Sequence, residues 1–197
     1  AACFIVIIIN QGLKKYGGDL AIGAFGIVNR LVFIVVMIVM GLNQGMQPIA
    51  GYNFGAKLYG RVNKVLRLTI IYATAVTTFG FLVGMLVPDL VVGIFTSDAE
   101  LTELSVTGLR ITVMFFPIIG FQMVTSNFFQ SIGMAGKAIF LSLTRQMLIL
   151  LPCLLVLPQF FGVAGVWYSM PVSDLLASLI ALVMLVCQFR KFRTSPL

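Results

Sequence analysis

The sequence predicts an all-α membrane protein, and three observations lead to that prediction. Of the 197 residues, 60% are hydrophobic and only 10% are charged, whereas soluble domains are about 45–50% apolar and about 25% charged. The mean hydropathy is +1.09. Five apolar stretches reach the length of about 20 residues that a helix needs to cross a bilayer, without the ten-residue alternation of barrel strands. This composition excludes a soluble enzyme, a disordered chain and a nucleic-acid binder.

The predicted helices form one transmembrane lobe, residues 1–197, built as a six-helix bundle whose first helix is truncated. Its apolar run ends at Ile9, after about 14 Å of helix, which is too short to span. We therefore interpret the chain as a fragment that begins late in a helix. The helices are expected at 1–12 (partial), 20–44, 62–87, 104–132, 138–157 and 163–189. Pro117 predicts a kink in the fourth helix, because proline has no backbone N–H to donate.

The charged residues divide by helix end, and this division predicts the orientation. One set of ends carries eight cations and no acid: Lys57, Arg61, Lys64, Arg67, Lys137, Arg190, Lys191 and Arg193. The other set carries two cations and five acids: Lys14, Lys15, Asp19, Asp89, Asp98, Glu100 and Glu103. Because Lys and Arg accumulate on cytoplasmic ends, the first set is expected inside. The chain is then a multi-pass protein of the cell (inner) membrane with a cytoplasmic C-terminus.

Two ionisable residues within apolar stretches predict an intramembrane ion pair. Arg145 lies 13 residues before Pro158, and Asp174 lies 12 residues after Gly162. At 1.5 Å per residue, both are about 18–20 Å below the turn that joins their helices. Charges at such depth face the bundle interior and find partners. The pair is either a structural clamp or a switch that responds to a proton or a substrate.

Further polar residues are candidates for a cavity wall. Gln122, Ser126 and Gln130 are spaced i, i+4 and i+8 on one helix face, and Asn127 adds another amide. Amides within a membrane require partners or water, so this face either forms interhelical hydrogen bonds or lines a substrate cavity. Arg30 reaches a similar depth on another helix, where a cavity role and a structural role are equally open.

The sequence contains none of the residue patterns of an enzyme or a metal site. It has no His and only three cysteines, Cys3, Cys153 and Cys187, which lie in apolar runs without metal-ligand spacing and are interpreted as small buried hydrophobic residues. No nucleophile–base pair or phosphate-binding loop is present. We therefore expect no catalytic residue, no metal and no cofactor.

One glycine-rich segment, 41–57, reads GLNQGMQPIAGYNFGAK. Its distinctive residues are Gln44, Gly45, Gln47, Pro48, Gly51, Tyr52, Asn53, Gly55 and Lys57. Its glycines predict an exit from a helix into a cytoplasmic loop, before a basic helix start. The pattern resembles the MATE (multidrug and toxic compound extrusion) transporters, as do Ala24–Arg30, Asn127–Gly133, Leu141–Gln146 and the stretch from Gly165 to Asp174.

The resemblance implies a twelve-helix transporter with two six-helix lobes, of which this chain is the C-terminal one and the N-terminal lobe is missing. It implies export of amphiphilic or cationic small molecules by alternating access, driven by Na⁺ or H⁺ as the coupling ion. Some branches place coupling carboxylates in the seventh and tenth helices. Here the tenth has no acid and the only membrane carboxylate is Asp174, so no ion site is assigned.

Two other functions are compatible with the sequence. A flippase for lipid-linked saccharides, from the same superfamily, would need a more cationic cavity, with Arg30, Arg110 and Arg145 facing the pyrophosphate. The other is a non-transporting membrane scaffold or a degenerate fragment, and a second six-helix lobe upstream in the same reading frame would exclude the scaffold. The partners expected in the transporter case are the small-molecule substrates, the lipid bilayer and the missing lobe, with no nucleic acid.

Overall fold

A computed structural model describes the backbone of residues 2–194 and the side chains of residues 4–190. All elements in this part of the chain are helical, which confirms the all-α fold. They are α1 (Ala2–Gly55), α2 (Tyr59–Leu86), α3 (Pro88–Gly93), α4 (Ala99–Val113), α5 (Phe116–Ser131), α6 (Ala135–Leu143), a π-helical segment (Thr144–Leu150), α7 (Leu151–Phe161) and α8 (Val163–Thr194).

The long, apolar helices make this a multi-pass membrane protein. Four continuous helical stretches are long and apolar enough to cross a bilayer: α1, α2, α8, and Ala135–Phe161, which joins α6, the π-helical segment and α7. The pair α4–α5, bent by 54°, adds a fifth as one broken span. α1 is itself divided at Gly18, whose φ of 67° and ψ of −164° interrupt the helix. A positive φ is readily adopted by glycine because it has no Cβ. The predicted helices 1–12 and 20–44 are therefore two arms of α1, separated by one residue and not by a loop.

The glycine-rich segment is not the cytoplasmic loop that the sequence predicted. α1 continues through it to Gly55 and includes Pro48. Met46, Ala50 and Asn53 are buried at helical spacing, so packing along one face stabilises the helix. Pro48 removes only one backbone hydrogen bond, to the carbonyl of Gln44, and this packing outweighs that loss. The loop is confined to 56–58, where Lys57 has a φ of 58°.

The predicted helix 104–132 is broken into α4 and α5 at Met114 and Phe115. Pro117, in the first turn of α5, cannot donate to the carbonyl of Val113. The kink predicted from Pro117 is thus confirmed, as a full break with a 54° bend. The other predicted boundaries differ by a few residues, since 62–87, 138–157 and 163–189 correspond to Tyr59–Leu86, Ala135–Phe161 and Val163–Thr194.

α5 lies at the centre of the bundle, in contact with α1, α2, α6 and α8. Two buried apolar clusters surround it. One contains Trp167, Phe25 and Leu109, and the other contains Phe128, Phe129 and Leu66. Polar side chains of α5 lie on the face directed at α6 and the π-helical segment. The candidate site is between these three elements.

Candidate functional site: a polar cavity beside an ion pair

The structure places Arg145 of the π-helical segment against Asp174 of α8. Both Nε and Nη2 of Arg145 lie 2.7 Å from the same oxygen, Oδ1 of Asp174. Charge-assisted bonds of this length are among the stronger hydrogen bonds in proteins. The side chain of Asp174 is 6% exposed, whereas that of Arg145 is 34% exposed. The guanidinium thus connects a buried carboxylate to a more open space.

A proline next to the π-helical segment around Arg145 permits its wider turn. Pro152 follows directly and cannot donate to the carbonyl of Leu148. The preceding N–H, that of Leu151, donates instead to the carbonyl of Gln146, five residues earlier. This wider turn rotates the side chains of 144–146 relative to those of α7. π-helical turns are rare and are often found at functional sites.

The open side of Arg145 faces a small polar cavity of about 130 Å³. Its lining is mostly polar and comes from α5, α6 and the π-helical segment: Gln122, Met123, Ser126, Asn127, Leu141, Ser142, Arg145 and Gln146. Water occupies about 30 Å³ per molecule in the liquid, so the space corresponds to about four waters. Drug-sized ligands need about 300–1,000 Å³. The cavity can therefore contact one part of such a ligand but cannot enclose it.

Of the five residues predicted for a cavity wall, Gln122, Ser126 and Asn127 line this cavity. Gln122 is 5% exposed, and its Oε1 is buried with no hydrogen-bond partner among the described residues. Asn127 lies one turn further and donates to the carbonyl of Met123 at 2.9 Å. Gln130 is exposed and outside the lining, and so is Arg30 on α1. The structure therefore does not bring Arg30 to the pair.

The glycine-rich segment is connected to the cavity wall by a side-chain hydrogen bond. Nε2 of Gln47 donates to Oδ1 of Asn127 at 3.2 Å. One turn along, a Cβ added to Gly51 would lie 2.9 Å from the carbonyl oxygen of Ser131, so α1 and the end of α5 touch closely. Asn53 donates to the carbonyl of Ile49 at 2.8 Å within α1. The remaining distinctive residues of the segment are exposed: Gln44, Gly45, Pro48, Tyr52, Gly55 and Lys57.

Several polar residues of this region were not singled out from the sequence. Ser142 and Gln146 line the cavity, and Thr144 has a buried hydroxyl without a partner among the described residues. Asn43 is 2% exposed with neither amide atom paired within the described part of the chain. Asn43 was detectable as an amide in an apolar stretch. Ser142 and Gln146 were detectable as well, because they are spaced i and i+4 with Arg145 at i+3, so ordinary helical periodicity places them on the face of Arg145.

The described residues contain no cluster of His, Cys, Asp or Glu that could hold a metal ion. The polar groups around the cavity are instead amides, hydroxyls and one guanidinium. Such groups bind ligands through hydrogen bonds and charge, and the Oε1 of Gln122, next to the cavity, is a buried acceptor without a partner among the described residues. The arrangement is therefore suited to holding a polar part of a small molecule.

A multi-pass helical bundle with an ion pair and a polar cavity between its helices is characteristic of membrane transport proteins. The MatE family model matches residues 3–155, and the chain belongs to this family of transporters. It is 28% identical over 179 residues to the multidrug export protein MepA of Staphylococcus aureus (strain MSSA476), an alignment that covers 91% of this chain and 39% of MepA. The chain thus spans about two fifths of the length of this curated relative.

Solved structures show the same fold. The MATE multidrug transporter DinF-BH, solved in complex with rhodamine 6G, superposes with a TM-score of 0.85 at 36% identity, over 98% of this chain and 44% of that one. The outward-facing conformation of a multidrug resistance MATE family transporter of the MOP superfamily superposes with a TM-score of 0.90 at 18% identity, over 98% of this chain and 44% of that one.

Proposed function

We propose that this chain forms one lobe of a multidrug efflux transporter, and that a second lobe completes the substrate site. The polar cavity beside Arg145 carries this proposal, because its volume of about 130 Å³ suits one wall of a drug-binding site and not a whole one. The family match and the names of the relatives support efflux as the direction of transport.

The substrates that we propose are amphiphilic or cationic small molecules. MepA is named a multidrug export protein, and DinF-BH was solved with rhodamine 6G bound. Transport would proceed by alternating access in the cell membrane, driven by an inward gradient of Na⁺ or H⁺. Asp174, with its partner Arg145, is the only buried carboxylate among the described residues, so it is the group of this chain that we propose to respond to the coupling ion.

The test is dye efflux by the complete gene product that contains this chain, expressed in bacteria that lack their own exporters. We expect lower accumulation of rhodamine 6G and lower sensitivity to cationic drugs than in cells with the empty vector. Collapsing the Na⁺ gradient and the pH gradient separately will identify the coupling ion. No change in accumulation or sensitivity, together with no ion-driven uptake into inverted vesicles, would contradict the proposal.

A pair of matched variants will show whether the cavity takes part in transport. Gln122 and Gln130 are both amides of α5, but only Gln122 lines the cavity. We expect Gln122→Ala to weaken rhodamine 6G efflux several-fold, and Gln130→Ala to leave it unchanged. Equal losses in the two variants would argue against a role of this cavity.

The flippase alternative receives no support from the cavity. A pyrophosphate site would bring several cations together, yet of Arg30, Arg110 and Arg145 only Arg145 is part of the lining. Uptake of a lipid-linked saccharide in place of rhodamine 6G, in the same vesicles, would favour the flippase over the multidrug exporter.

A further inference from the structure

The first turns of α2 and the last turns of α8 leave a groove between them. Its volume is about 540 Å³. A second groove of about 450 Å³ lies along the neighbouring surface of α2 and shares Asn63, Arg67 and Ile71 with the first. Arg67 therefore stands between two open spaces, at the end of the bundle that carries most of the cations.

The polarity of this groove changes in a regular order along both helices. On α2, Asn63, Arg67 and Ile71 follow one another at i, i+4 and i+8, so they share one face. On α8, which runs antiparallel, Val186 and Arg190 follow at i and i+4. On both helices the cation lies nearer the bundle end and the aliphatic residue lies one turn deeper. The two cations of the groove therefore lie toward the bundle end, beside Leu66 and Phe189, and only aliphatic side chains line the groove one turn deeper.

The charge of Arg67 is not balanced by a carboxylate of the described residues. Neither groove is lined by Asp or Glu, and no residue in the described part of the chain forms a salt bridge or hydrogen bond with Arg67. Lys64 lines the second groove and adds to the positive charge. Basic pockets between transmembrane helices, at the cytoplasmic side, bind anionic lipid headgroups.

We propose that the groove between α2 and α8 binds one anionic phospholipid, with its headgroup phosphate on Arg67 and one acyl chain along Ile71 and Val186. The ordering of the lining matches such a molecule, whose anionic and apolar parts follow one another in the same direction. Asn63 would donate to the phosphate or to the glycerol oxygens, and Arg190 would face the headgroup from the opposite wall. This site is separate from the polar cavity, and the proposal does not depend on transport.

The test is native mass spectrometry of the complete gene product, released from detergent after incubation with phosphatidylglycerol or with phosphatidylcholine of the same acyl chains. We expect one phosphatidylglycerol to be retained in preference to phosphatidylcholine. Arg67→Gln should weaken this retention about fivefold, the effect of losing one arginine at an anionic lipid surface. Arg61→Gln is the matched control, because Arg61 is exposed in the first turn of α2, at the same end of the bundle, but lines neither groove, and it should retain the lipid as the wild type does.

Competition with free inorganic phosphate tests whether the groove binds a whole lipid or only a phosphate group. We expect millimolar phosphate not to displace phosphatidylglycerol, since the acyl chain contributes to binding. Three results would overturn the proposal: equal retention of both lipids, equal losses in Arg67→Gln and Arg61→Gln, or no retention at all, as expected if another protein segment covers the groove. Unfolding temperatures of the three proteins in detergent should agree, because Arg67 is exposed.

Discussion

The two members of the Arg145–Asp174 pair differ in their access to water. The carboxylate is 6% exposed and the guanidinium is 34% exposed. A buried charge without its partner is costly, whereas a charge that can turn toward water is not. Removing the arginine should therefore lower the free energy of unfolding more than removing the carboxylate charge does.

We expect Arg145→Gln to lower the free energy of unfolding by about 3 kcal/mol, because it leaves the buried Asp174 carboxylate without a cation. Asp174→Asn should cost less than about 1 kcal/mol, since Arg145 then remains at the open cavity. Chemical unfolding of the purified variants in detergent measures both values. The order of the two costs is the test, and a larger loss for Asp174→Asn would contradict the asymmetry.

A double variant separates the structural role of the pair from a role in transport. Replacing both partners of a buried ion pair by apolar residues is often neutral for stability, so Arg145→Met with Asp174→Val should unfold close to the wild type. If the pair responds to the coupling ion, this stable protein will not export rhodamine 6G. Full export by the double variant would show that the pair has only a structural role.

Gln47 is the residue through which the glycine-rich segment reaches the cavity wall. Its amide donates to Asn127 at 3.2 Å, and a net loss of about 1 kcal/mol follows from removing such a bond. Gln44, one turn earlier on α1, is exposed and serves as the control. We expect Gln47→Ala to lower the unfolding temperature and Gln44→Ala to leave it unchanged. Equal shifts in the two variants would show that the hydrogen bond to Asn127 does not contribute to stability.

At the scale of elements, the contact between α1 and α5 depends on one small residue. A Cβ at Gly51 would lie 2.9 Å from the carbonyl oxygen of Ser131, which is backbone and cannot turn aside, whereas a Cβ at Gly45 would meet nothing within 4 Å. Both glycines are within the same helix and the same sequence motif. The structure thus assigns a packing role to one of them only.

Substituting these two glycines should have opposite effects on stability. Gly51→Ala forces α1 away from α5 and should cost about 1–3 kcal/mol. Gly45→Ala gains helix propensity without a clash and should stabilise by up to about 1 kcal/mol. Thermal unfolding followed by circular dichroism measures both changes. Destabilisation by Gly45→Ala would mean that this exposed surface of α1 is covered in the complete protein.

The elements also show which features a sequence can predict. The equal depth of Arg145 and Asp174 could be predicted by counting residues from the turn that joins their helices, because each residue adds a fixed rise along a helix. The helical course of 45–55 was predicted wrongly, since glycine and Pro48 break helices in water but are tolerated where one face is packed. The π-helical turn could not be predicted, because Pro152 is compatible with several backbone solutions and the one adopted depends on the packing of α8.

At the scale of the whole molecule, the loops alternate between two ends of the bundle, and the distribution of charge predicts which end is cytoplasmic. Single cysteines can be introduced into a variant without native cysteines, as Ala56→Cys at the cationic end of the bundle or as Ser97→Cys at the acidic end. Both positions are in loops. We expect a membrane-impermeant maleimide to label Ser97→Cys in intact cells, and Ala56→Cys only after permeabilisation. The reverse pattern would contradict the proposed orientation.

The π-helical segment also has a consequence for how sequences of this fold can change in length. Elsewhere in a packed helix, deleting one residue turns everything beyond it by about 100° and removes side chains from their neighbours. Between Thr144 and Leu150, the chain already contains the extra residue of a wider turn. A deletion there would be absorbed as the turn tightens to an ordinary α-helix, so a gap of one residue is tolerated at this place in the helix and the flanking parts keep their contacts.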